Sequence, residues 1–151
     1  MYTIENSIEI AASADVLLTA MTTRDGFRGW LADDTEVDAA GRYTFTFAHP
    51  DETRAVTFTL DRSGMHGIAM MCVREKNNPD WLGTELAITL TPLAGGKTQV
   101  DLAHRGYRTK NECYARCIDG WAHFLSSLAK YATTGRGEPF RATVATQEVA
   151  S

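Results

Sequence analysis

The stretch that decides the fold lies in the last third of the chain, where Leu102-Ala103-His104-Arg105-Gly106-Tyr107 leads into one long helical segment. That segment carries Cys117-Ile118-Asp119-Gly120-Trp121 and is followed by Gly135-Arg136-Gly137-Glu138-Pro139-Phe140. A small protein that ends in one long, one-sided helix must pack that helix against another layer of structure.

Capping signals define the ends of this helix. Thr109 and Glu112 have the spacing of a capping box, and Gly135 is a natural C-cap. Apolar residues recur between these ends at steps of three and four, which predicts one buried face. These residues are Tyr114, Cys117, Ile118, Trp121, Leu125, Leu128 and Ala132.

The chain before this helix reads mainly as strands, because apolar residues alternate with polar ones. Threonines separate the apolar residues in 43–47 and 56–60, Ala87 and Thr89 separate those in 86–90, and the turns between such runs are short. Two short helices, capped by Ser13 and by Thr22-Thr23, follow the first strand. The pattern predicts an α+β fold: a curved antiparallel sheet of about seven strands around a long C-terminal helix, with two short helices between strands 1 and 2.

Length and charge restrict the classes of function. The 151 residues fit one domain, which we place at 1–140, with an Ala/Thr-rich flexible tail at 141–151. Net charge is −4 and basic residues do not cluster, so no nucleic-acid partner is expected. Three cysteines, no signal-peptide pattern and no long apolar run predict a cytoplasmic protein with reduced thiols and no membrane contact.

Four short segments resemble a known family. They are Trp30-Leu31, Asp80-Trp81-Leu82-Gly83-Thr84-Glu85-Leu86, His104-Arg105-Gly106-Tyr107, and the last helix with its exit Thr134-Gly135-Arg136-Gly137-Glu138-Pro139. Their order resembles the helix-grip fold of the START/SRPBCC superfamily, within the branch named after the activator of heat-shock-protein-90 ATPase (AHSA-like proteins). That superfamily includes lipid carriers, polyketide aromatases and cyclases, and co-chaperone domains, so the resemblance implies a fold and leaves the function open.

The resemblance implies a cavity between the sheet and the last helix, and aromatic and methionine side chains there would suit a flat apolar ligand. The alternative is that the same side chains fill a solid core. We predict Trp30 at the mouth of the cavity, with Tyr114, Ile118 and Trp121 facing the sheet from the helix. The full predicted ligand-binding set is Trp30, Tyr43, Phe45, Phe47, Phe58, Met70, Cys72, Leu86, His104, Tyr114, Ile118 and Trp121.

His104 is the one candidate for catalysis. It could point into the cavity as a hydrogen-bond anchor or general base, or it could be a structural histidine bonded to a neighbouring strand or to the helix. Cys113 and Cys117 lie four residues apart on the helix, but no second pair of ligands accompanies them at a zinc spacing. A glycine-rich phosphate loop is also missing, so neither a metal nor a cofactor is expected.

Three hypotheses follow, and the first is favoured. It is a non-enzymatic protein that binds a small hydrophobic or aromatic molecule, with His104, Tyr43 or Tyr114 as polar anchors. The second is an enzyme of the polyketide cyclase or hydrolase kind with His104 as base, which requires His104 to face the cavity. The third is an interaction module, chaperone-associated or a homodimer, that uses an exposed apolar patch such as residues 66–74.

Overall fold

The structure, a computed structural model, describes residues 1–141. Seven strands form one antiparallel sheet in the order β1-β7-β6-β5-β4-β3-β2, and two short helices separate β1 from β2. The predicted α+β helix-grip architecture is therefore confirmed. The elements are β1 (Tyr2–Ile10), α1 (Ala14–Ala20), α2 (Arg24–Trp30), β2 (Asp34–Val37), β3 (Tyr43–Ala48), β4 (Thr53–Gly64), β5 (Gly67–Lys76), β6 (Glu85–Pro92), β7 (Thr98–Tyr107) and α3 (Glu112–Thr134), with short 3₁₀ turns at Pro79–Trp81 and Ala94–Gly96.

The sheet curves around α3. Register shifts interrupt the β4–β5 pairing between Thr57 and Phe58 and again between Leu60 and Arg62. Extra residues of this kind bend a strand and increase its twist. The 23 residues of α3 span about 35 Å, which is enough to cross the sheet.

Helix caps follow the sequence signals in all but one case. Ser13 and Thr23 cap α1 and α2, and Gly135 ends α3 in the left-handed conformation at φ 84°. The predicted capping box at Thr109 is wrong, because Asn111 is the N-cap of α3 and its side chain accepts a hydrogen bond from the Tyr114 N–H at 3.0 Å. Asparagine caps at least as well as threonine, so the helix begins next to it.

The buried face of α3 lacks the predicted Ile118 and includes Ser127, which the apolar pattern does not predict. Trp121, Leu125 and Leu128 are buried as expected, but Ile118 is 43% exposed and does not face the sheet. Cys117, which the pattern also predicts, packs against the core. Successive helical residues point about 100° apart, so Cys117 and Ile118 cannot both lie at the centre of one face.

The C-terminal strap, residues 136–140, runs back over the fold. Phe140 forms a parallel bridge with Ala32, in which Phe140 N donates to Leu31 O and Asp33 N donates to Phe140 O, each at 2.9 Å. Ser127 anchors the strap from below: its hydroxyl donates to Trp30 O at 2.8 Å and accepts from Glu138 N at 2.7 Å. The strap therefore ties α2 to α3. The predicted flexible tail continues beyond it, and residues 142–151 lie outside the described part of the chain.

Candidate functional site

The space directly between the sheet and the middle of α3 is filled. Besides Trp121, eight of the predicted ligand-binding residues are at most 7% exposed, and seven of these eight belong to one hydrophobic core cluster. For these residues the structure matches the solid-core alternative. They are Trp30, Tyr43, Phe45, Phe58, Met70, Cys72, Leu86 and His104.

Three of the expected placements are corrected by specific contacts. Trp30 does not lie at a mouth, since it is fully buried and its Nε1–H donates to Ala20 O at 2.8 Å. The Tyr43 hydroxyl donates to Thr22 O at 2.7 Å, and the Tyr114 hydroxyl donates to Thr3 O at 3.3 Å. Both tyrosine hydroxyls thus donate to backbone carbonyl groups of the protein and are not free to anchor a ligand.

An open groove lies to one side of this core, between the first half of α3 and the hairpin of β3 and β4. Its volume is about 230 Å³, and Phe140 of the C-terminal strap lines it together with the 3₁₀ turn at Trp81. We call it the aromatic groove, because five of its side chains are phenylalanine or tryptophan. The lining residues are Phe47, His49, Arg54, Asn78, Trp81, Cys113, Arg116, Cys117, Gly120, Trp121, Phe124 and Phe140.

Two tryptophans form the floor of the groove. The rings of Trp81 and Trp121 stack with centroids 5.8 Å apart and planes 14° apart. Trp81 Nε1–H donates to Cys117 Sγ at 3.3 Å, and Trp121 Nε1–H donates to His104 Nδ1 at 3.0 Å. Both indole donors are therefore satisfied within the protein, and the small part of each ring that reaches the groove, with Trp81 8% and Trp121 2% exposed, is hydrocarbon surface.

Gly120 keeps the wall of the groove open. It lies inside α3, where glycine is about 0.5–1 kcal/mol less favourable than alanine. A Cβ built on Gly120 would meet no atom within 4 Å, so packing does not require a glycine there. The missing side chain leaves room in the groove and exposes the helix backbone to it.

His104 lies behind the floor and is completely buried. Trp121 Nε1–H can only donate, so Nδ1 is the acceptor and the ring proton sits on Nε2, which donates to Thr84 Oγ1 at 2.8 Å. The Tyr107 hydroxyl lies 2.9 Å from the same Nδ1. No lone pair of His104 is left for a substrate proton, and the residue corresponds to the structural alternative.

Burial determines the protonation of the groups around His104. Desolvation lowers the pKa of His104 from its ordinary value of 6.5 to about 3, so the ring is neutral at physiological pH. Desolvation also raises the pKa of the Tyr107 hydroxyl far above its usual value. The network is uncharged, and its role is to orient Trp121 and the Trp81 loop.

Two thiols line the groove from α3. Desolvation, the neighbouring Cys117 thiol and the Asp80 carboxylate raise the pKa of Cys113 to about 12, which keeps it in the unreactive thiol form. Cys117 accepts the hydrogen bond from Trp81. Within residues 1–141 no cluster of three or more His, Cys, Asp or Glu side chains could hold a metal ion.

The rim of the groove is basic. Arg54 on β4 and Arg116 on α3 line the groove, together with His49 and Asn78. Arg54 Nε lies 2.7 Å from Glu52 Oε2, and Arg116 Nη1 lies 3.5 Å from Glu112 Oε2. Among the described residues that line the groove, none is acidic.

The structure brings only two of the predicted site residues, Phe47 and Trp121, into the groove, and their binding role stays a prediction. Sequence reasoning missed the others. Trp81 had a visible signal, an aromatic residue in a loop beside Asn78-Pro79, and Gly120 had another, a glycine inside a helical pattern. No sequence signal marked Arg54, Arg116 or Phe140, because only the folded structure brings a strand, a helix and the strap together.

Comparison with solved structures connects this geometry to known proteins. The Aha1 dimer from Colwellia psychrerythraea is similar to this chain at 25% identity and a TM-score of 0.72, over 91% of this chain and 100% of that one. An AHSA1-like protein from Aeromonas hydrophila is similar at 19% identity and a TM-score of 0.63, over 87% and 93%. These likenesses show that the chain has the fold of AHSA-like, SRPBCC-type proteins.

A third solved structure is less similar and shows only that the fold is shared. DynU16, from the dynemicin biosynthetic locus, is 15% identical with a TM-score of 0.66, over 89% of this chain and 48% of that one. Comparison with family models and with curated proteins gives no significant match. No helix in the described part of the chain combines the length and apolar character that a membrane crossing needs.

Proposed function

We propose that this AHSA-like chain binds a small, flat, apolar molecule in the aromatic groove. The observation that carries the proposal is the groove itself: about 230 Å³ lined by five phenylalanine and tryptophan rings, with both indole N–H groups of its floor already bonded. Sites for drug-sized ligands measure about 300–1,000 Å³, and a dry apolar cavity of about 150 Å³ can hold benzene. The groove therefore suits a molecule of one or two rings.

Binding without catalysis is the better-supported mode. The enzyme hypothesis needed His104 in contact with the ligand, and His104 is buried behind Trp121 with both ring nitrogens bonded. The thiol of Cys113 is held protonated by its surroundings. Burying one ring would contribute about 2 kcal/mol, so two rings and their contacts suit micromolar to millimolar affinity.

A groove-filling variant tests the proposal. Gly120→Phe places a ring in the open space next to Trp121, whereas Ala122→Phe places the same ring on an exposed position of α3. We expect 2-naphthamide, a neutral two-ring probe, to shift the indole N–H signals of Trp81 and Trp121 in NMR titrations of the wild type and of Ala122→Phe. Gly120→Phe should abolish the shifts. Equal binding by all three proteins, or none by the wild type, would refute the proposal.

We also propose that the chain forms a homodimer, because the similar Colwellia structure is that of an Aha1 dimer. Met71 and Val73 on β5 are 40% and 42% exposed and lie within the segment 66–74 that the sequence marks as apolar on both faces. Exposed apolar side chains of this kind favour burial against a second surface. Sedimentation equilibrium should give twice the chain mass for the wild type and a weaker dimer for Met71→Lys, and a monomer at 100 μM would contradict the proposal.

A further inference from the structure

A ligand would contact apolar rings at the floor of the aromatic groove and charged side chains at its rim. The tryptophan floor makes no hydrogen bond to a ligand, because the Trp81 and Trp121 N–H groups are bonded to Cys117 and His104. Any polar group of the ligand must therefore find its hydrogen-bond partner at the rim. The rim carries Arg54 and Arg116.

Two arginines line the groove although the protein is acidic overall, with a net charge of −4. Among the described residues that line the groove none is a carboxylate, while Glu52, Glu112 and Glu75 contact Arg54, Arg116 and Asn78 from outside it. Guanidinium groups beside an apolar surface, where water is partly excluded, attract an anion more strongly than they do in bulk water. This arrangement favours an anion over a neutral molecule of the same shape.

The carboxylates already paired with these arginines do not block this role. The recorded contact of Arg54 with Glu52 uses Nε, and the Arg116–Glu112 pair is 3.5 Å long with an 87% exposed glutamate. An exposed pair such as Arg116–Glu112 contributes about 0–1 kcal/mol. The partly buried Arg54 has further N–H donors besides the Nε that contacts Glu52, since a guanidinium has five. Asp80, beside Cys113, is held by Asn111 Nδ2 at 3.1 Å. A ligand carboxylate can therefore join or replace Glu52 and Glu112.

From these observations we infer that the ligand class is a planar aromatic carboxylate of one or two rings, whose ring lies on Trp81 and Trp121 and whose carboxylate meets Arg54 and Arg116. This inference rests on the proposed function and specifies its ligand. Carboxylate–guanidinium hydrogen bonds are stronger than neutral ones, and their planar geometry matches an aromatic acid.

A matched pair of probes tests binding in the groove and the preference for an anion separately. 2-Naphthoate and 2-naphthamide have the same ring and nearly the same shape, and they differ in charge. Isothermal titration calorimetry should show 2-naphthoate binding at least about tenfold tighter, since a hydrogen bond to a charged group contributes about 1.5–3 kcal/mol. Raising NaCl from 20 mM to 500 mM should weaken 2-naphthoate binding and leave 2-naphthamide binding unchanged.

Arginine variants identify the side chains that bind the ligand carboxylate. Arg54→Gln and Arg116→Gln should each reduce the preference for 2-naphthoate to a few-fold, whereas Arg136→Gln, which removes an exposed arginine outside the groove, should preserve it. Equal affinity for both probes would overturn the anionic ligand class and leave groove binding intact. A preference that persists in both groove variants would overturn the assigned anchors, and no binding of either probe would overturn the proposed function as well.

Discussion

At the scale of single residues, His104 shows how burial turns a chemically versatile side chain into a structural one. Its Nε2–H donates to Thr84 Oγ1, and Thr84 Oγ1 donates in turn to Trp81 O at 2.6 Å. Its Nδ1 accepts from Trp121. One neutral ring therefore fixes both tryptophans of the groove floor, and protonating it would leave two donors facing each other across Nδ1.

This network predicts a pH dependence of stability. The pKa of His104 is lowered in the folded state, from 6.5 to about 3, so the unfolded chain binds a proton that the folded chain does not between these values. The resulting stability is fully present above pH 6.5 and is lost as pH falls below it. From pH 7 to pH 5 we expect His104 to contribute a loss of about 2 kcal/mol in the free energy of unfolding.

Urea denaturation of two variants at pH 7 and pH 5 checks this contribution. His104→Gln should lose about 2 kcal/mol less than the wild type over the same interval, because its amide does not titrate there. His66→Gln changes an exposed histidine and should keep the wild-type loss. An identical loss in His104→Gln and the wild type would show that His104 does not carry the effect.

At the scale of elements, the last helix was predictable in extent and only partly in orientation. Its length, its Gly135 end and three of its buried residues followed from periodicity. Its rotation did not, because a stripe containing both Cys117 and Ile118 fits two faces, and the sheet decides between them. The groove could not be predicted either, because its lining residues come from three segments far apart in sequence: the β3–β4 hairpin, the 3₁₀ turn at Trp81, and α3 with the strap that follows it.

The contact between α3 and the C-terminal strap gives a second prediction. Ser127→Ala removes a hydroxyl that is 2% exposed and leaves Trp30 O and Glu138 N without that partner. Buried polar groups without a partner cost about 1–3 kcal/mol, so we expect a loss of that size in chemical denaturation. Ser126→Ala, at the adjacent exposed position, should change stability by less than about 0.5 kcal/mol. Comparable losses in both variants would contradict the anchoring role.

At the scale of the whole molecule, the groove and the core belong to one cooperative unit. Trp121 contacts the buried network and lines the groove, and Phe140 joins the groove to the strap that holds α2 against α3. All three tryptophans are at most 8% exposed, so unfolding should shift their fluorescence to longer wavelength together. Occupying the groove should then stabilise the entire fold, because the unfolded chain offers no equivalent site.

Thermal unfolding measures this linkage. A ligand at 100 times its Kd adds about 2.7 kcal/mol to the free energy of unfolding, which for a domain of this size corresponds to a rise in Tm of about 5–10 °C. We expect 2-naphthoate to raise the Tm of the wild type and of Ala122→Phe by this amount when tryptophan fluorescence is followed. Gly120→Phe should show no rise, since its added ring occupies the same space. An equal rise in Gly120→Phe would place the binding site elsewhere on the protein and would separate the stability of the fold from the aromatic groove.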